Sequence, residues 1–254
     1  MTMIGGDFEG FVVLNSNYIP AERVLGGGKN SPITIGPGYV AHPDNVMAEF
    51  ALQSPVNVAD FAKSVQRGRE MLDAHLGTAT VSFEGSHKFT KEWLKAAALA
   101  GEVGCEPDYD SAGNMYQYRP KDLGLYRYAG FHLHFDVSNH MPQDYATRIV
   151  DCTIGIASIA NGWDMQGNRR NFYGTPGRHR PKPYGIEYRT LSAEMMNHLD
   201  GLQELLPAVC AALATGQGPL ARLPQQDYAL VSKAISTEDT AIAQALYMEV
   251  VKHV

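Results

Sequence analysis

Residues 131–137 read FHLHFDV, with His132, His134 and Asp136 alternating with Phe131, Leu133, Phe135 and Val137. Successive side chains of a β-strand point to opposite faces. The spacing therefore predicts a strand that aims two imidazoles and a carboxylate one way and four apolar side chains into a core. An antiparallel sheet with one face packed and one face left polar accommodates such a strand.

The same period of two recurs along the chain. Asp7 and Glu9 lie in GGDFEGF, Glu106 and Asp108 in GCEPDY, and Glu187 and Arg189 in GIEYR, while Asp44 precedes VMAEFALQ, which holds Glu49. A single pair of this kind is the ordinary wet face of an antiparallel strand. Their accumulation in one chain points to a shared polar site. Carboxylates gathered there would repel one another and resist ionisation. A divalent cation relieves that repulsion, and hard oxygen ligands with an occasional imidazole suit Mg²⁺ or Mn²⁺.

Working outward, strands are expected at 8–14, 46–53, 78–85 and 184–192, where short runs are rich in aromatic and β-branched residues. Residues 60–76 carry apolar side chains at helical spacing and stop at Gly77; residues 90–100 form a second helix, with Thr90 as N-cap. The mostly apolar run 144–160 suits a helix buried against the sheet. Helical pattern dominates from Ser192 onward, over 192–215, 226–235 and 237–252, with Met195, Leu199, Leu202 and Leu206 as an apolar stripe. Strands and helices mix without regular βαβ alternation, so the expected class is α+β, with an antiparallel sheet and helices on one face. Residues 1–192 would form the core, and 193–254 a helical segment packed on the same domain.

Between 168 and 189, NRRNFYGTPGRHRPKPYGIEYR gathers Arg169, Arg170, Arg178, Arg180, Lys182 and Arg189, and its glycines and prolines read as a structured loop. Guanidinium forks suit phosphate and carboxylate oxygens. The Gly-rich stretch LGGGKNSPITIGPG (25–38) also reads as a loop, and its GGGK lacks the spacing of a phosphate-binding P-loop. Cys105 has no evident partner base and reads as a small buried residue.

The formal net charge of −6 argues against a nucleic-acid binder. Three cysteines without a paired spacing fit a reducing cytosol. No signal-like start and no membrane-spanning run is seen, so a cytoplasmic protein without membrane partners is expected, in the host cytoplasm if the gene is a phage's.

GCEPDYDSAGN, YRYAGFHLHFDV and NRRNFYGTPGRHRPKPYGIEYRTLS resemble successive motifs of the phage-type COOH-NH2 ligases, an amidoligase family in the glutamine synthetase and glutamate–cysteine ligase superfamily. HPDNVMAEFA (42–51) and, more loosely, GGDFEGFV extend the likeness over about residues 4–192. The resemblance implies a glutamine synthetase-like antiparallel sheet cradling ATP with Mg²⁺ or Mn²⁺, and ATP-dependent joining of a carboxylate to an amine through an acyl phosphate. It implies metal ligands at Asp7, Glu9, Glu49, His132 and Glu187, with His134 near the nucleotide. Arg189 would contact phosphate, with Arg169, Arg178 and Lys182 as further basic contacts. Arg189, Arg178 and Glu187 would then carry the chemistry, and Glu106 or Asp108 would be candidates to take the amine's proton. The substrates would be small-molecule or peptide carboxylates and amines, and a homo-oligomer would be in keeping with such relatives. Two departures stand out: Ala129 replaces one of two glycines before the HxH strand, and the first acidic pair is DxE rather than ExE. A metal-dependent hydrolase and a catalytically inactive nucleotide-binding module are the rival readings.

Overall fold

The computed structural model describes residues 2–101, 107–119, 121–137 and 139–254. Its strands are β1 (Met3–Leu14), β2 (Asn17–Tyr18), β3 (Ile33–Gly36), β4 (Tyr39–Asp44), β5 (Met47–Leu52), β6 (Val56–Asn57), β7 (Thr80–Ser82), β8 (Ser86–Lys88), β9 (Asp108–Tyr109), β10 (Met115–Tyr116), β11 (Tyr126–Tyr128), β12 (Phe131–Asp136), β13 (His179–Lys182) and β14 (Gly185–Tyr188). Its α-helices are α1 (Phe61–Leu76), α2 (Lys91–Ala96), α3 (Gln143–Val150), α4 (Ile156–Ala160), α5 (Leu199–Thr215), α6 (Pro219–Arg222), α7 (Pro224–Thr237) and α8 (Thr240–Val251). The fold is α+β.

One large sheet runs in the order β10-β9-β13-β14-β12-β1-β5-β4-β3, with β2, β6 and β7 paired onto the long β1; β8 and β11 form a separate ribbon. Among the described residues the strand pairings are antiparallel, and register fixes which face each side chain takes. Asp7 lies opposite His132, His134 opposite Glu187, Glu187 opposite Arg180, Glu9 opposite Glu49, and Glu49 opposite His42. The alternate positions make the core: Ile4, Phe8, Phe50, Phe131, Leu133, Phe135, Ile186 and Tyr188 are all essentially inaccessible. Phe8 is its hub, with ring centres 4.6 Å from Phe131 and 5.0 Å from Phe50.

Helices seal that face. In α1 the buried residues Phe61, Val65, Gly68, Leu72 and Leu76 recur every three or four positions, and Gly77 ends the helix in a positive-φ turn. In α5 the buried stripe is Leu199, Leu202, Leu205, Leu206 and Val209. Thr90 caps α2 as expected, accepting from the amide of Trp93. No helix among the described residues is long and apolar enough to cross a membrane.

Several expectations are corrected. The first strand starts at Met3, five residues earlier than its aromatic run suggested, and at Gly6 the neighbouring strand comes so close that a Cβ would stand 2.8 Å from the His132 carbonyl oxygen. The supposed loop at 25–38 holds β3, β4 follows it, and the basic loop holds β13. Pro43 and Pro181 lie inside strands, and proline is a signal against a sheet interior. The 144–160 helix is also interrupted, since Asp151–Gly155 winds as a π-turn between α3 and α4.

Asp151, in that π-turn, is wholly buried, and burial pushes its carboxyl up to about 6 from 3.8 against hydrogen bonds from Tyr188 and Tyr228. The folded value lies above the unfolded one, so protonation favours the fold. That contribution is full below about pH 4 and is lost as pH rises through about 6. The change from 3.8 to about 6 corresponds to about 3 kcal/mol. Asp151→Asn has no proton to take up there. Its melting temperature relative to wild type should therefore rise by about 5 °C or more between about pH 4 and pH 7. A gap that does not change with pH would show that Asp151 does not titrate in this range.

Candidate metal and phosphate site

The polar face of the sheet carries a continuous row of charge. From β9, next to the β10 edge, it runs through Asp108, then Arg178, Arg180 and Lys182, then Glu187 and Arg189, His132 and His134, Asp7 and Glu9, and Glu49, to His42 and Asp44. β1, β12 and β14 contribute through the period-two spacing visible in the sequence. Two groups within the row have ligand atoms within 4.8 Å of one another: Asp7, His132 and Glu187 in one, and Glu9, Asp44 and Glu49 in the other.

In the first group the Asp7 carboxylate lies 3.4 Å from His132 Nδ1 and 3.0 Å from His134 Nε2. Burial alone would raise its pKa, but His134 and His132 hold it well below the usual carboxylate range. His134 is correspondingly raised, despite burial, by Asp7. The short DxE aspartate thus sits between the two imidazoles of the HxH strand. Glu187 is almost completely buried and takes Arg189, Arg180 at 3.0 Å and Lys182 at 2.8 Å. Against the effect of burial, Arg189 foremost, then His132 and Arg180, hold its carboxyl far below its ordinary value.

The second group is the acidic end. Burial, and then the charges of Asp7, Asp44 and Glu9, push the Glu49 carboxyl well above its usual range. Burial also raises Glu9, whose Oε2 accepts the Gly130 amide at 2.6 Å. Gly130 immediately precedes the HxH strand, and a Cβ there would stand 2.3 Å from His132 Nε2. Ala129, just before it, is fully buried in the core. Three mutually repelling carboxylates with oxygen ligands converging are a donor set that suits a hard divalent cation. The positive charge of Lys29, from the Gly-rich stretch, offsets a small part of that rise at Glu49.

At the basic end Arg178 is fully buried, ion-paired to Asp108, with its guanidinium 4.1 Å from the centre of the Tyr116 ring. Its Nε and Nη1 have no hydrogen-bond partner among the described residues. Arg189 Nε lies 3.5 Å from Asp108, and its Nη1 3.4 Å from His132 Nδ1.

Most sequence-predicted residues therefore share one face: Asp7, Glu9, Glu49, His132, His134, Arg178, Lys182, Glu187 and Arg189. Arg169 stands apart. Its guanidinium is buried and donates to the backbone carbonyls of Thr190 at 2.7 Å and Leu191 at 2.8 Å, so it braces the chain just after β14. Arg170 braces the same region through Asp164, Glu238 and the Gly174 carbonyl. Asp136 is exposed at the end of β12. Of the two candidate bases, Asp108 is engaged by both arginines, and Glu106 lies outside the described residues, as does Cys105. From the sequence, His42 was missed, and Asp44 and Arg180 were placed in the acidic pattern and the basic segment without a role of their own. The period-two pair His42 and Asp44 was the available signal, hidden by the intervening Pro43.

The chain matches no protein-family model and no curated protein.

Proposed function

We propose that this protein is an ATP-dependent carboxylate–amine ligase of glutamine synthetase-like type, using the polar sheet face as its site for ATP and divalent metal. One observation carries the reading. Two ligand groups suited to cations lie side by side on one face, and a row of guanidinium and ammonium groups continues directly from them.

Asp7, His132 and Glu187 would hold one cation and Glu9, Asp44 and Glu49 another. Bound Mg²⁺ or Mn²⁺ supplies neutralisation of phosphate oxygens. The protein's own share follows from the row. Arg189 and Lys182 would meet the polyphosphate, and Arg189, together with the charge of the buried Arg178, would stabilise charge on the transferring group. His134, oriented by Asp7, borders the nucleotide. The γ-phosphoryl group moves from ADP oxygen to a substrate carboxylate oxygen, making an acyl phosphate. An amine nitrogen then forms the C–N bond as the C–O bond to phosphate breaks, and its proton passes to a carboxylate or to water. Without activation the leaving group would be oxide, which is why ATP is needed.

The test is ADP release from ATP and Mg²⁺ with panels of carboxylates and amines. The reading expects release that needs one of each. Bond cleavage with metal and no nucleotide would favour a hydrolase, and nucleotide binding without turnover on any panel an inactive module.

A further inference from the structure

We infer that Asp151 is a positioning residue: from the core side of the sheet its carboxylate fixes both the 187–189 segment and the residue before Arg178, and ties them to the C-terminal helices. Tyr188, between Glu187 and Arg189 but on the opposite face, donates its hydroxyl to Asp151 Oδ1 at 2.6 Å. Tyr228 of α7 donates to Oδ2 at 2.6 Å. The Gly177 amide is a third donor. The Tyr228 hydroxyl also lies 2.8 Å from Ser111 Oγ, in the turn after Asp108, and Arg148 donates to the Ser111 carbonyl at 2.6 Å. One buried carboxylate therefore touches, at one remove, the strand of Glu187 and Arg189, the loop of Arg178 and the turn beyond Asp108.

Packing alone does not call for this arrangement. Apolar groups of similar volume fill a core as well as or better than a buried charge. A carboxylate adds fixed directions to three donors from three elements. The backbone is shaped around it: the π-turn places Asp151, and π-turns gather at functional sites. Gly155, later in that turn, leaves room for Tyr188, whose hydroxyl would be 2.9 Å from a Cβ there. The Arg189 amide, in turn, donates to the Arg178 carbonyl at 2.8 Å, so what holds Gly177 and Tyr188 holds the two arginines in register.

The catalytic weight of Arg178 and Arg189 rests on the ligase reading, but the placing of Asp151 does not. Amide hydrogen exchange in the full chain separates the two. Asp151→Asn leaves one acceptor oxygen for three donors, and Tyr228→Phe removes one of those donors together with the link to Ser111. Both variants should accelerate exchange at Gly177 and Arg189 by about 10-fold or more, while β1 and α1 amides keep their protection. In a turnover assay both should lower kcat with little change in KM for ATP. Unchanged exchange at Gly177 and Arg189 in either folded variant, or acceleration spread evenly over the sheet, would overturn the inference. If the wild type shows no ATP turnover, the ligase reading fails and exchange alone decides the role of Asp151. If Asp151→Asn does not fold, Tyr228→Phe decides it.

Discussion

Arg189→Ala is expected to lower ATP-dependent turnover by about 10³-fold while leaving nucleotide affinity within a few-fold of wild type. Arg189 lies between Glu187 and Asp108 on the polar face. Its loss leaves neither carboxylate without a cation, because Glu187 keeps Arg180 and Lys182 and Asp108 keeps Arg178. The fold should therefore survive, and the deficit should appear where charge builds on the transferring phosphoryl group. Steady-state ADP release and ATP titration measure the two effects separately. Equal turnover in wild type and variant would remove the arginine from the mechanism, and with it much of the case for phosphoryl transfer.

Glu187→Gln should behave differently in kind. The glutamine keeps the shape but removes the one carboxylate shared by three cationic side chains, at an almost inaccessible position. Breaking a buried charge cluster from one side costs about 3–5 kcal/mol, which for a chain of this size is a loss of about 10 °C in melting temperature. Metal-dependent nucleotide binding should weaken as well, because a ligand charge is gone. Excess Mn²⁺ should restore part of the nucleotide binding, whereas it should do nothing for Arg189→Ala. Calorimetry and Mn²⁺-dependent ATP titration check the two parts. A variant as stable as wild type, with unchanged metal dependence, would show that Glu187 is neither the hub of the basic cluster nor a ligand.

The polar face was legible in the sequence because period-two spacing needs no tertiary information. His132 and His134, Asp7 and Glu9, and Glu187 and Arg189 each declare a face by themselves, and antiparallel pairing only has to align them. Proline obscured other parts. Pro43 hid the strand carrying His42 and Asp44, and Pro181 hid the strand carrying Arg180 and Lys182. Those strands exist because neighbours on both sides supply pairing that local propensity does not foretell. Arg169 shows a different limit. Arginines in one basic segment look alike in sequence, yet backbone geometry turns Arg169 and Arg170 onto carbonyls and leaves Arg178, Arg180 and Arg189 on the sheet face. The Asp151 network was invisible because its members are far apart in sequence and meet only in the packed core.

The two ligand groups on the sheet face are expected to bind divalent cations beside a polyphosphate. Anomalous scattering from crystals grown with Mn²⁺ and a non-hydrolysable ATP analogue tests this most directly. Two peaks are expected, one within about 2.0–2.6 Å of Asp7, His132 and Glu187 side-chain atoms and one at the same range from Glu9, Asp44 and Glu49, with phosphate density against Arg189. Manganese bound elsewhere, or a polar face that stays free of metal and nucleotide at saturating concentrations of both, would contradict it.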